Sequence, residues 1–219
     1  MPDSIDALIM AAGAGSRFGS QKQFERIGGG TVISSAARLF LEHPKVNKVF
    51  AVFPPDMEAD VFMKTGKLPP EVCPVLGGDL REISVLNALR ASEADYVLIH
   101  DAARPFTPRE LIERVIYAML RDGCAIPAVR MTSTLKYLDD DGSLSSLERE
   151  RVFAVQTPQG YRRKEILRAY EERKGSGYTD SSSVAAEYGI MTPLVEGSVK
   201  NIKITTRDDM NPVTDGAGE

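Results

Sequence analysis

Four apolar runs constrain this chain more than any other feature: Ile5 to Met10, Val46 to Phe53, Tyr96 to Ile99 and Ala125 to Val129. Each is continuous rather than alternating, and a strand that is apolar on both sides has to be covered on both faces. Helical spacing fills the intervals. Thr31 to His43 puts Ile33, Ala36, Ala37, Phe40 and Leu41 on one face before Pro44 ends it, and a helix is expected from about Arg81 to Ala91. Thr107-Pro108-Arg109-Glu110 reads as a capping box with proline at the first helical position, and Gly123 closes the helix it opens. With a short strand at Val72 to Leu76, the alternation predicts an α/β fold with a doubly wound, mostly parallel sheet. Ligands of such sheets sit outside the carboxyl ends of the strands.

The rhythm changes after residue 130. Thr134 to Leu138, a turn at Asp139-Asp140-Asp141-Gly142, and Leu144 to Val155 read as a hairpin. We expect an inserted β-arm at about 131–153, and two such arms can clasp in a symmetric dimer. An edge hairpin of the main sheet is the alternative. Gln156-Thr157-Pro158-Gln159 returns to the core, a charged helix runs from Arg163 to Arg173, and Gly175-Ser176-Gly177 is a gap. Asp180 can cap a helix from Ser181 to Tyr188 closed by Gly189. Ile190 to Val195 and Asn201 to Ile204 are expected as final strands, and Thr205 or Thr206 with Asp208-Asp209 as a helix start that frays. No linker divides the chain, so residues 1–219 read as one domain.

Composition narrows the function. A chain of 219 residues with 42% hydrophobic and 26% charged residues can build a full core. Its net charge of −4 argues against general nucleic-acid binding. Cys73 and Cys124 lie too far apart for a metal spacing, and only His43 and His100 could add to them. No apolar run is long enough to span a membrane and no signal-like segment opens the chain, so a reduced cytoplasmic setting is expected.

The first strand ends in Ala11-Ala12-Gly13-Ala14-Gly15-Ser16-Arg17-Phe18-Gly19, with Lys22-Gln23-Phe24 just after. Small residues let backbone N–H groups approach an anion, while Arg17 and Lys22 add full charges. The pattern is not a Walker loop, and Phe18 stands where a dinucleotide fingerprint needs its third glycine. Further polar clusters fall at other strand ends: Gly77-Gly78-Asp79 with Arg81 and Ser84, and His100-Asp101-Ala102-Ala103-Arg104-Pro105.

Together with Thr134-Leu135-Lys136, Gln156-Thr157-Pro158-Gln159, Thr179-Asp180 and Asn201-Ile202-Lys203-Ile204-Thr205, these blocks resemble the 2-C-methyl-D-erythritol 4-phosphate cytidylyltransferases, a family within the nucleotidyltransferase superfamily. The resemblance runs from about residue 5 to 210. It implies a Rossmann-like fold and transfer of CMP from CTP to methylerythritol 4-phosphate, with pyrophosphate leaving. By the same resemblance, Arg17, Lys22 and Lys203 are catalytic. Ala11, Ala12, Gly13, Ala14, Gly15, Gly78, Asp79, Ser84 and Asp101 would bind the nucleotide. Thr134, Arg149 and Asp101 would bind the acceptor, with Thr134 and Arg149 on an arm that serves the neighbouring subunit of a homodimer. Mg²⁺ would ride on the phosphates with Asp101 as its carboxylate. His100 is left as structural.

Three departures bear on this. The loop before Lys22 is shorter than usual for the family and lacks the proline before the lysine. Ser133 and Ser181 stand where acidic residues are usual, both on the acceptor side. A sister cytidylyltransferase using ribitol 5-phosphate therefore remains as an alternative acceptor reading. A nicotinamide-dependent oxidoreductase and a silent nucleotide-binding paralogue are the readings of other classes.

Overall fold

The computed structural model describes residues 3–13, 18, 21–57, 62–63 and 67–210. The main sheet contains β1 (Ile5–Met10), β4 (Lys48–Phe53), β5 (Cys73–Leu76), β6 (Tyr96–Asp101), β7 (Cys124–Arg130), β10 (Phe153–Val155), β11 (Gln159–Arg162) and β12 (Leu194–Glu196). β5, β4, β1 and β6 lie side by side and parallel. The two short pairs are β2 (Arg26–Ile27) with β3 (Gly30–Thr31), and β8 (Lys136–Leu138) with β9 (Leu144–Ser146).

Side-chain alternation along the strands makes two cores. On one face Ile5, Ala7 and Ile9 pack with Phe40 of α1 (Val32–Leu41) and with Leu111 and Val115 of α3 (Arg109–Asp122). On the other, Leu8, Val97 and Ile99 meet Val85 and Leu89 of α2 (Arg81–Ala91), Tyr170 of α4 (Arg163–Glu172) and Val184 of α5 (Ser181–Glu187). This is the doubly wound arrangement that the continuous apolar runs require.

Several expectations are corrected. The sheet is mixed beyond β6: β11 inserts antiparallel between β6 and β7. Its four residues carry too little apolar pattern to read as a strand, and Gly160 is there because a Cβ would lie 2.8 Å from Met119 Sδ on α3. Leu144 to Val155 is not one strand. Leu144–Ser146 closes the hairpin with Lys136–Leu138, Arg149–Arg151 makes one tight turn, and Phe153–Val155 joins the main sheet against Ala128–Arg130. Of the strand expected from Ile190 to Val195 only Leu194 and Val195 form, in a strand that runs on to Glu196 parallel to β7.

Asn201 to Ile204 forms no strand and pairs with none among the described residues. Thr107 does not cap α3, which begins after Pro108 with no side-chain cap; its hydroxyl is bonded to Asn201 instead. The expected helix start near Thr205 and Thr206 forms as one 3₁₀ turn, Asp208–Met210, with the Asp209 carboxylate rather than a threonine hydroxyl as the acceptor. Both threonines donate backbone and side-chain bonds to the Asp209 carboxylate, and these hold that carboxyl down at about 2. One cap forms as read, Asp180 accepting from the Ser183 N–H, and Thr31 with Ser34 adds a reciprocal capping box that the sequence reading had not singled out.

Candidate active site

β1 and β6 end together, with Met10 opposite Asp101, and the chain leaves both strands toward the same edge. A cavity of about 350 Å³ opens there. Its walls come from the end of β1 (Met10 to Gly13), Lys22-Gln23, the turn from Gly78 to Arg81 with Ser84, the end of β6 (Asp101 to Ala103), and Lys203. Local structure explains each wall. Gln23 is buried and donates to the Ala11 and Gly13 carbonyls at 2.7 and 3.1 Å, which fixes the exit from β1. Gly77 must be glycine: a Cβ there would sit 2.8 Å from the Phe53 carbonyl and 2.9 Å from the Ala12 Cβ. Ser84 is buried, and its hydroxyl accepts the Gly78 N–H at 3.1 Å, so it shapes the turn with its oxygen already engaged.

Asp101 is the electrostatic centre. Lys203 Nζ lies 2.7 Å from one carboxylate oxygen, Arg81 lies 3.6 Å from the other, and Arg104 Nε is 3.9 Å away. Burial opposes ionisation of this carboxyl, but Lys203, Arg81 and Arg104 outweigh it and hold the group well below the usual carboxylate range. With Lys22 on the same wall, the cavity presents positive charge around one anchored carboxylate.

Behind Asp101 sits His100, fully buried. Its Nε2 faces the Arg104 carbonyl at 3.1 Å, a group that only accepts, so Nε2 carries the proton. Nδ1 then accepts from Thr157 Oγ1 at 3.1 Å, and Thr157 Oγ1 accepts the Asp101 N–H at 3.1 Å. Burial drives the His100 pKa down to about 4, against the opposing pull of Asp101. A neutral imidazole that orients the backbone of Asp101 fits the structural role expected of it.

The expected site residues divide into three groups. Lys22, Lys203, Ala11, Ala12, Gly13, Gly78, Asp79, Ser84 and Asp101 all line the cavity. Arg17, Ala14 and Gly15 lie outside the described residues. Thr134 and Arg149 are not brought to the cavity of the same chain: the Arg149 guanidinium donates to the Thr132 carbonyl and the Glu150 carboxylate, both at 3.2 Å. Sequence reasoning passed over Arg81, Arg104 and Gln23 as site-forming residues, although all three stand inside the quoted motifs. It also gave no role to Asn201.

This geometry meets the comparisons with known proteins. Residues 5–213 match the family described as IspD, 2-C-methyl-D-erythritol 4-phosphate cytidylyltransferase. The chain belongs to this family. A 2-C-methyl-D-erythritol 4-phosphate cytidylyltransferase from Geobacillus thermodenitrificans is 34% identical over 94% of both chains. A bifunctional enzyme IspD/IspF from Nitrobacter winogradskyi is 39% identical over 95% of this chain and 55% of its own length. The chain thus spans about half the length of the bifunctional relatives it matches. Among solved structures, the 2-C-methyl-D-erythritol 4-phosphate cytidylyltransferase from Thermus thermophilus superposes with a TM-score of 0.79 at 32% identity, covering 94% of this chain and 95% of that one.

Phe18 has a packing role of its own. Where a dinucleotide fold needs a third glycine, this cytidylyltransferase family member buries an aromatic ring against Val32 and Ile204.

Proposed function

We propose that the chain transfers CMP from CTP to 2-C-methyl-D-erythritol 4-phosphate, giving CDP-methylerythritol and pyrophosphate. The observation that carries this is the cavity at the carboxyl edge of the parallel strands, where Lys22 and Lys203 line the wall around Asp101. Among the described lining residues there is no cysteine or histidine, and the hydroxyl of Ser84 is engaged. Such a cavity suits direct displacement, in which the acceptor phosphate oxygen attacks the α-phosphorus in line and pyrophosphate departs. The protein's work is then positioning and charge stabilisation.

Lys22 faces the triphosphate in this reading, with Arg17 beside it on the strength of the sequence motif. Lys203, held on Asp101, meets the phosphate at which the new bond forms. Ala11, Ala12, Gly13, Gly78, Asp79 and Ser84 enclose the cytosine and ribose, with Ala14 and Gly15 extending the loop. The acceptor lies between Asp101 and an arm, Thr134 and Arg149 being supplied by a second copy. In support, the arm exposes Tyr137 (57%), Leu138 (65%) and Leu144 (62%), an apolar surface suited to a homodimer.

Among the described residues no cluster of three or more metal-ligating side chains exists, while two carboxylates, Asp79 and Asp101, line the cavity. That donor set fits a Mg²⁺ ion held mainly by phosphate oxygens, with Asp101 as its protein ligand. Such an ion would supply further neutralisation of phosphate charge. Both cysteines are free thiols, which supports a reduced, cytoplasmic setting. No helix among the described residues is long and apolar enough to cross a membrane.

The test is product formation followed by ³¹P NMR with CTP, Mg²⁺ and either methylerythritol 4-phosphate or ribitol 5-phosphate. A CDP-polyol diphosphate signal with the first acceptor alone is expected. A signal only with ribitol 5-phosphate would move the chain to the pentitol branch, for which Ser133 and Ser181 are the specific departures. Binding of CTP without either product would make it a silent nucleotide-binding protein.

A further inference from the structure

Lys203 reaches the cavity on a segment that has no strand partner among the described residues. A backbone bond from the Ile204 N–H to the Ala103 carbonyl, at 2.8 Å, ties its far end to the core. What fixes the rest is a polar knot centred on Asn201, which is 1% exposed. The Asn201 side chain uses both ends. Oδ1 accepts from the Thr107 hydroxyl at 2.8 Å, and Nδ2 donates to the Thr157 carbonyl at 2.8 Å and to Gln156 Oε1 at 3.3 Å. The Asn201 carbonyl accepts from Arg104 at 2.6 Å. Gln156 closes the knot by gripping the Ser198 backbone, accepting its N–H at 3.0 Å and donating to its carbonyl at 2.8 Å.

The partners of Asn201 are themselves tied to Asp101. Thr157 receives the Asp101 N–H through its hydroxyl, and Arg104 faces the Asp101 carboxylate. Asn201 therefore joins the segment that carries Lys203 to the two groups that hold Asp101. Three residues on, Ile204 is buried in the apolar niche of Phe18 and Val32, while its neighbour Lys203 reaches Asp101.

We infer that Asn201 is a positioning residue that sets the Lys203 ammonium on Asp101, acting through Thr107, Thr157 and Arg104 rather than through substrate. The inference rests on the reading of Lys203 as the group that meets the transferred phosphate. A buried amide with donors and acceptor all engaged specifies one geometry, because any shift leaves polar atoms unpaired. A displacement of about 1 Å at a reacting group can cost on the order of 10²-fold in rate.

Two readouts test it on the full chain. The first is competitive acetylation with acetic anhydride, followed peptide by peptide by mass spectrometry, which needs no turnover. The Lys203 side chain is 41% exposed and so can be labelled. In Asn201→Ala its labelling should rise severalfold as the ammonium leaves Asp101, with Lys45 and Lys164 unchanged. The second is steady-state kinetics: kcat should fall on the order of 10-fold to 10²-fold with the KM for CTP nearly constant.

Thr107→Val removes the bond to Oδ1, together with the hydroxyl's contact to the Arg104 carbonyl, but leaves the other bonds of Asn201, and should show the same lysine-specific change to a smaller degree. It carries the test if Asn201→Ala does not fold. A variant that melts earlier but keeps wild-type Lys203 labelling and wild-type kcat per folded molecule would overturn the inference and leave Asn201 a packing residue. Loss of cytidylyl transfer by the wild-type protein would strike the functional reading alone, since labelling would still judge the position of Lys203.

Discussion

At the scale of single residues, two neighbours on one strand end take opposite electrostatic roles. Asp101 stays charged because Lys203, Arg81 and Arg104 surround it, while His100 stays neutral because nothing stabilises its cation enough to offset burial. The consequence for stability has a definite sign. The His100 pKa falls from 6.5 in the unfolded chain to about 4 in the fold, so the unfolded state takes up the proton first as pH drops. Stability is full above about 6.5 and is lost as pH falls toward 4, by up to about 3 kcal/mol from this residue. His43, lowered by burial and by Arg109, adds in the same direction. Asp101 stays out of this window, since its pKa is held below the ordinary carboxylate range. Urea unfolding between pH 7.5 and 4.5 should show the slope in the wild type and a shallower one in His100→Gln. Equal slopes would remove His100 from the acid response.

At the scale of elements, the parts that form by their own pattern were legible in the sequence. β1, β4, β6 and β7 are apolar on both faces, and α2 runs over Arg81–Ala91 as its spacing indicated. The parts defined by their partners were not. β11 has four residues and exists because β6 and β7 leave a slot between them. The Asn201 segment resembles a strand in composition, but its bonds run to side chains of Gln156 and Arg104 and not to a neighbouring ladder. Thr107 has the spacing of a cap and is claimed by Asn201. The candidate site followed the same division: Asp101, Lys22 and Lys203 stand out by type and position, whereas Arg81 and Arg104 gain their meaning only from distance to Asp101.

The Gly77 turn offers a test at this scale. Gly77→Ala would press a methyl against the Phe53 carbonyl and Ala12, so it should destabilise by about 1–3 kcal/mol and weaken CTP binding by moving Gly78 and Asp79. Calorimetric melting and nucleotide titration of the same variant check both. Unchanged CTP affinity would separate the turn from the nucleotide site.

At the scale of the whole molecule, one chain assembles the cavity around Lys22, Asp101 and Lys203, and Thr134 and Arg149 lie outside it. A homodimer in which each arm completes its neighbour's site is the arrangement this division suits. Replacing Leu138 and Leu144 together with glutamate should leave the sheet intact, turn a dimer into a monomer by analytical ultracentrifugation, and reduce turnover. A monomeric wild type would remove the arm from the account. The central claim, that Lys203 on Asp101 drives cytidylyl transfer, is tested most directly by pyrophosphate release from CTP and methylerythritol 4-phosphate, with the wild type and Lys203→Met compared at saturating CTP. The account predicts clear turnover in the wild type and a loss in kcat on the order of 10²-fold in the variant. Wild-type turnover in Lys203→Met would contradict it.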